Sequence, residues 1–178
     1  MKFAYADPPY VGCSKLYKNE PEYDGEIDHQ ELIDNLVEEF PDGWALSCTS
    51  PSLKQLLAMC PEYVRVAAWV KPMASFKPNI NPAYTWEPVI WTGGRKRDRY
   101  EDTVRDWVSA NITIKKGLTG AKPRGFCVWL MNLLNVHPED QLVDLFPGTN
   151  SLTDVFKAYV LGKAPQEDLF YETPTEEK

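Results

Sequence analysis

The stretch Met1-Lys2-Phe3-Ala4-Tyr5-Ala6-Asp7-Pro8-Pro9-Tyr10 decides how this chain is read. Phe3 to Ala6 is a short apolar run of the kind that forms a buried strand. An acid, two prolines and an aromatic then end it. Proline has no N–H for a sheet ladder and restricts the residue before it. The strand therefore stops abruptly and presents Asp7 to Tyr10 at its carboxyl end. In open α/β sheets that edge is where ligands bind. A proline turn beside a solvated acid would account for the tetrapeptide alone. The aromatic Tyr10, and a second motif near the other end of the chain, favour a site.

The second motif is Leu142-Val143-Asp144-Leu145-Phe146-Pro147-Gly148-Thr149-Asn150, an apolar strand running into a turn. Just before it, Lys122-Pro123 opens a helix. Taken together, the two motifs and the Lys-Pro pair resemble amino-group methyltransferases that use S-adenosylmethionine and act on adenine N6 or cytosine N4. The catalytic motif comes first and the cofactor motif last, the permuted order of β-class DNA methyltransferases and MT-A70-like enzymes. The likeness runs from Phe3 to about Val160. It implies a compact, circularly permuted, Rossmann-like class I methyltransferase fold: α/β, with a mixed, mostly parallel sheet and helices on both faces. Residues 1–163 would be one such domain and 164–178 an acidic, flexible tail.

The resemblance also assigns roles. Asp7, Pro8, Pro9 and Tyr10 would be catalytic. Asp7 and the Pro8 carbonyl would accept the two N–H bonds of the target amine, and Tyr10 would stack on the base. A duplex base would first have to leave the helix. Ala6, Asp7, Lys122, Asp144, Phe146, Pro147, Gly148 and Asn150 would hold S-adenosylmethionine, with Lys122 near its carboxylate. Glu87, in Tyr84-Thr85-Trp86-Glu87, would help shape the pocket around the transferred methyl. Lys71 and Asn79, on a proline-rich stretch after a strand, would meet the substrate with Tyr10. Arg95, Lys96 and Arg97 begin the one dense basic cluster, which reads as phosphate contact or as a solvated loop. Cys13 is not needed as a nucleophile by this motif.

Composition bounds the rest. A chain of 178 residues, 43% apolar, can bury a real core. Its net charge of -7 and pI near 4.9 argue against a protein held on nucleic acid by bulk charge. They leave room for a local basic groove, or for a homodimer or partner subunit that supplies target recognition. Cys13, Cys48, Cys60 and Cys127 form no Cys-x-x-Cys pair, and the histidines are His29 and His137, so no metal site is expected. No apolar run reaches transmembrane length, and Met1 leads directly into the first strand, which points to the cytoplasm.

Along the chain, residues 11–28 read as a lid-like loop in which Tyr17 and Tyr23 could stack on a base. Asp28 and Glu31 form a capping-box pattern for a helix to about Phe40, with Leu32, Ile33, Leu36, Val37 and Phe40 on one stripe. Trp44 to Cys48 is a strand. Ser50 and Pro51 are suited to open a helix. Val64 to Val70 and Tyr84 to Trp91 are strands, the second ended by Gly93-Gly94. Residues 106–114 read as a hairpin or loop. Phe126, Leu130, Leu133 and Leu134 mark a core-facing helix, and Ser151 and Asp154 would cap the last one.

Two features depart from the family. Asn150 stands where the cofactor loop has its second glycine, a position that asks for left-handed backbone. The acid that usually holds the cofactor's ribose is not identifiable, although Glu167, Asp168 or Glu172 could substitute. The expected function is methyl transfer to a nucleobase amino group, N6 of adenine in DNA foremost and RNA second. The alternative is an inactive relative that binds nucleic acid or a partner.

Overall fold

The computed structural model describes residues 1–10, 27–73, 79–113 and 121–162. Tyr17, Tyr23, Cys13, the lid reading and the 164–178 tail lie outside the described residues. One six-stranded sheet organises the rest, in the order β5-β3-β4-β2-β1-β6. Its strands are β1 (Lys2–Ala6), β2 (Gly43–Ser47), β3 (Arg65–Val70), β4 (Trp86–Gly93), β5 (Trp107–Ser109) and β6 (Gln141–Asp144). β4 runs antiparallel to both of its neighbours, and every other pairing is parallel.

Helices cover both faces, as two separate cores demonstrate. α1 (His29–Glu39) and α2 (Leu53–Leu57) pack Ile33, Leu36 and Leu56 onto Ala4, Ala6, Trp44, Leu46 and Ile90. α3 (Arg124–Leu133) and α4 (Ser151–Val160) pack Phe126, Leu130 and Leu152 onto Phe3, Tyr5, Ala45, Trp69 and Val89. Alternation along β1 divides the strand between the two cores, Phe3 and Tyr5 on one face and Ala4 and Ala6 on the other. All four are at least 98% buried, as a central strand with two covered faces requires. No described helix is long and apolar enough to cross a membrane.

Local signals hold well where they are short-range. Asp28 caps α1 by accepting from the amides of Gln30 and Glu31, at 2.9 and 3.1 Å. Gly93 ends β4 at φ 73°, where a Cβ would stand 2.5 Å from the Asp42 carbonyl oxygen, so only glycine fits this crossing with β2. Three expectations need correcting. Ser50 does not cap α2: residues 49–52 close a turn first, with the Ser52 hydroxyl 2.8 Å from that of Thr49, and the helix begins at Leu53. Neither Ser151 nor Asp154 caps α4; Asn150 holds the cap position, and the Ser151 hydroxyl pairs with that of Thr149. Residues 107–109 form an edge strand parallel to β3 rather than a hairpin.

Candidate active site

The site forms because β1 and β6 are paired in parallel, with Tyr5 opposite Asp144. Asp7, two residues beyond Tyr5, and Asp144 therefore lie at adjacent strand ends. The Leu145 amide donates to the Tyr5 carbonyl at 2.9 Å and carries the pairing to the point where both chains leave the sheet. Ala6 and Pro8 are buried, while Pro9 and Tyr10 are half-buried. Beneath them lies an aromatic floor: Phe126 sits 5.9 Å from Tyr5, 5.3 Å from Trp69 and 5.6 Å from Trp129, ring centre to ring centre. The Tyr5 hydroxyl is itself anchored to that of Ser47 at 2.8 Å.

Above this floor, acids and lysines alternate. Lys122, from the segment just before α3, donates to Asp7 Oδ2 at 2.5 Å and stands 3.7 Å from Glu87 Oε2. Glu87 in turn pairs with Lys71. Both ammonium groups sit over the Trp69 ring, Lys71 at 4.6 Å and Lys122 at 5.7 Å. The Lys122 side chain is only 7% exposed and that of Asp7 19%. Burial on this scale excludes an unpaired charge, so each group needs its partner. Burial raises the Asp7 pKa above the usual carboxylate range, and Lys122 offsets part of the rise. The Asp144 pKa is pushed up to about 6, chiefly by burial and further by Asp7, while a hydrogen bond from the Phe146 amide works against it.

Three carboxylate oxygens here are buried and lack a hydrogen-bond partner among the described residues: Asp7 Oδ1, Glu87 Oε2 and Asp144 Oδ1. Buried acceptors are normally satisfied, so this group is set to receive donors from a ligand. A cavity of about 290 Å³ opens alongside, lined by Lys122, Arg124, Thr149, Ser151 and Asp154.

The turn from Phe146 to Asn150 completes the edge. Gly148 takes φ 44°, and a Cβ there would meet nothing closer than 3.9 Å, so the backbone angle and not crowding calls for glycine. Asn150 takes φ 57° and ψ 19°, the left-handed conformation that the family's glycine would supply. Replacing Asn150 by Ala should cost about 1 kcal/mol in stability, whereas Asn150→Gly should cost nothing or stabilise. Urea titration of the two variants measures this directly.

Lys71, Glu87, Lys122, Asp7 and Asp144 are thus brought together. Asn79 is exposed, at φ 63°, on the connection between β3 and β4 that crosses the same edge. Arg95, Lys96 and Arg97 are not part of the site. Because β4 runs antiparallel, its carboxyl end delivers them to the opposite edge of the sheet. There Arg95 grips buried Asp140 with two hydrogen bonds of 2.6 and 2.8 Å, and Arg97 donates to the Asn132 carbonyl. Arg95 and Arg97 thus brace the fold, while Lys96 is exposed. Sequence reasoning missed Trp69 and Phe126 as the floor of the site; Trp69 stands two residues before Lys71 at a strand end, which was the available signal. Burial holds the Cys127 thiol up at about 12.

No protein-family model matches the sequence, and no curated protein matches it. The fold is nevertheless shared with solved structures. The crystal structure of the M1.HpyAVI–SAM complex superposes with a TM-score of 0.60 at 14% identity, covering 89% of this chain and 78% of that one. The crystal structure of M1.HpyAVI gives 0.56 at 16% identity, covering 89% and 77%. At these identities the likeness concerns the fold alone, an α/β sheet with helices on both faces.

Proposed function

We propose that this chain is an S-adenosylmethionine-dependent methyltransferase that acts on the exocyclic amino group of a nucleobase, N6 of adenine in DNA foremost. One observation carries the reading: Asp7 Oδ1 and Asp144 Oδ1, at the ends of two paired strands, are buried acceptors without partners. A target amine offers N–H donors to the first, and the ammonium of a methionine moiety offers them to the second. The Asp-Pro-Pro-Tyr sequence, the Asp144 to Asn150 turn and the fold shared with the SAM-complexed M1.HpyAVI point the same way.

The residues present fit the cofactor. Asp144 Oδ1 would take its ammonium, the left-handed Gly148 and Asn150 would shape the turn beside it, and Lys122, which holds Asp7 and also lines the cavity, would be the cation for its carboxylate. When bound, S-adenosylmethionine supplies a sulfonium-linked methyl group. The chain's own task is to make a conjugated amine nucleophilic. Asp7 accepts one N–H and the Pro8 carbonyl accepts the other, which favours a pyramidal nitrogen and stabilises its developing positive charge. Pro8 and Pro9 fix the backbone beforehand, so little ordering remains when the base arrives. Tyr10 would hold the base plane by stacking.

The testing experiment is calorimetric titration with S-adenosylmethionine and S-adenosylhomocysteine across pH. The Asp144 carboxylate accepts an ammonium only when ionised. With a pKa of about 6, affinity should rise as pH increases through that value. It should be about tenfold weaker at pH 5 than at pH 7.5. Asp144→Asn should bind more weakly and lose this dependence. Absence of binding at every pH would favour the inactive relative. That reading has lost one support, since Asn150 adopts the backbone a glycine would supply.

A further inference from the structure

The β3–β5 part of the sheet is fully covered on one face and only partly on the other. Trp69 and Val108 point toward α3. Their neighbours point the other way, and register aligns them: Ala68 lies opposite both Pro88 and Trp107, and Val70 opposite Trp86. α1 and α2 lie over β1, β2, β6 and Ile90 of β4; Pro88 is fully buried, and exposure is confined to the residues around it. Val66, Trp86 and Trp107 stay 38%, 37% and 43% exposed. From pairing geometry the two tryptophans stand about 12 Å apart across β3. Trp86 is next in sequence to Glu87, so the open face begins at the rim of the candidate site.

The chain that connects β4 to β5 interleaves cations with aromatics. Arg99 lies 4.9 Å from the Tyr100 ring and Arg105 lies 5.4 Å from that of Trp107. Tyr100 is 84% exposed. With Arg95 and Arg97 turned inward, Lys96, Arg99 and Arg105 are balanced by Asp98, Glu101, Asp102 and Asp106. The acids are partly engaged: Asp98 receives the Tyr100 amide at 3.0 Å, and Asp106 stands 3.9 Å from Arg65. A surface with this charge balance in a chain of net charge -7 releases few counterions on binding and has little hold on a duplex, whose base faces are also hidden. Unpaired bases expose faces that tryptophan and arginine can stack on.

We propose that this half-face binds single-stranded nucleic acid, with Trp86 and Trp107 stacking unpaired bases and leading the strand over the rim to Asp7. The proposal rests on the nucleobase reading above and narrows its substrate to unpaired strands. It accounts for the absence of a basic cluster at the catalytic edge among the described residues, because the acceptor is held by its bases.

Fluorescence anisotropy tests it, with a labelled single strand of about 20 nucleotides and the duplex of the same sequence. The wild-type chain should bind the single strand at least tenfold more tightly than the duplex, with a shallow salt dependence. Trp86→Ala with Trp107→Ala should weaken single-strand binding roughly 10- to 100-fold. The pair of Phe replacements should retain most of the affinity, which separates stacking from loss of fold. Cofactor titration should be unchanged in all variants. Four results would overturn the proposal: wild-type affinity in the double Ala variant, preference for the duplex, no binding to either, or a wild-type dimer that the double variant converts to monomer. The last would assign the face to a second copy of this chain. Failure of cofactor binding would instead overturn the methyltransferase reading and leave the anisotropy result standing.

Discussion

Asp7→Ala should lower the turnover of methyl transfer at least about 10³-fold while leaving cofactor binding within a few-fold of wild type. Removing one group that stabilises developing charge in a water-poor site costs roughly 10²–10³ in turnover, and Asp7 has the further task of orienting the amine lone pair. The cofactor's methionine end is assigned to Asp144 and the following turn, so affinity should survive. Single-turnover assays with radiolabelled methyl donor, beside calorimetry on the same preparation, separate the two effects. Asp7→Asn keeps the shape, can still accept from Lys122 through its amide oxygen and leaves Glu87 at 3.7 Å as that ammonium's counterion, so it should fold with a smaller stability loss than Asp7→Ala and lose most of the rate. A variant with normal turnover would sink the role of Asp7.

The largest effect on stability should come from Lys122→Met. The Lys122 side chain is 93% buried and its ammonium lies within 4 Å of two acids, 2.5 Å from Asp7 and 3.7 Å from Glu87. Its removal leaves Asp7 buried without a counterion, and breaking such a pair from one side costs about 3–5 kcal/mol. For a chain of this length that corresponds to a fall of about 10 °C in thermal midpoint. The loss should be greatest at neutral pH and shrink in acid. Without Lys122 the already raised pKa of Asp7 rises further, so protonation relieves the unpaired charge. The acid limb of the pH–rate profile should move upward for the same reason. Differential scanning calorimetry at pH 5 and pH 8 checks the sign: an equal loss at both would show that packing, and not charge, governs the role of Lys122.

Local sequence carried much of this architecture. The abrupt Asp7-Pro8-Pro9 ending located the catalytic edge, and the stripe from Leu32 to Phe40 located α1. Asp7 and Asp144, both expected at the cofactor, come together through the β1–β6 pairing. What was not legible is direction and destination. Nothing in Trp86 to Gly93 says that this strand runs against its neighbours, and that reversal sends Arg95 to Arg97 to the edge opposite Asp7. Charge partners separated by many residues were equally hidden. Lys122 was expected beside a cofactor carboxylate, and in this structure it lies on Asp7. Caps failed where two hydroxyls compete within a turn, as Ser50 and Ser52 do, because a one-residue choice depends on the loop that feeds it.

The position of β1 has a consequence for how the molecule is made. This first strand ends up between β2 and β6, and Asp7 meets Lys122 across 115 residues of chain. Synthesis on the ribosome delivers Asp7 well before Lys122 and β6. Until β6 emerges, β1 has an open edge beside β2, with the aggregation hazard of an unpaired strand. A nascent chain halted before residue 141 would carry the Asp-Pro-Pro-Tyr sequence and no assembled site.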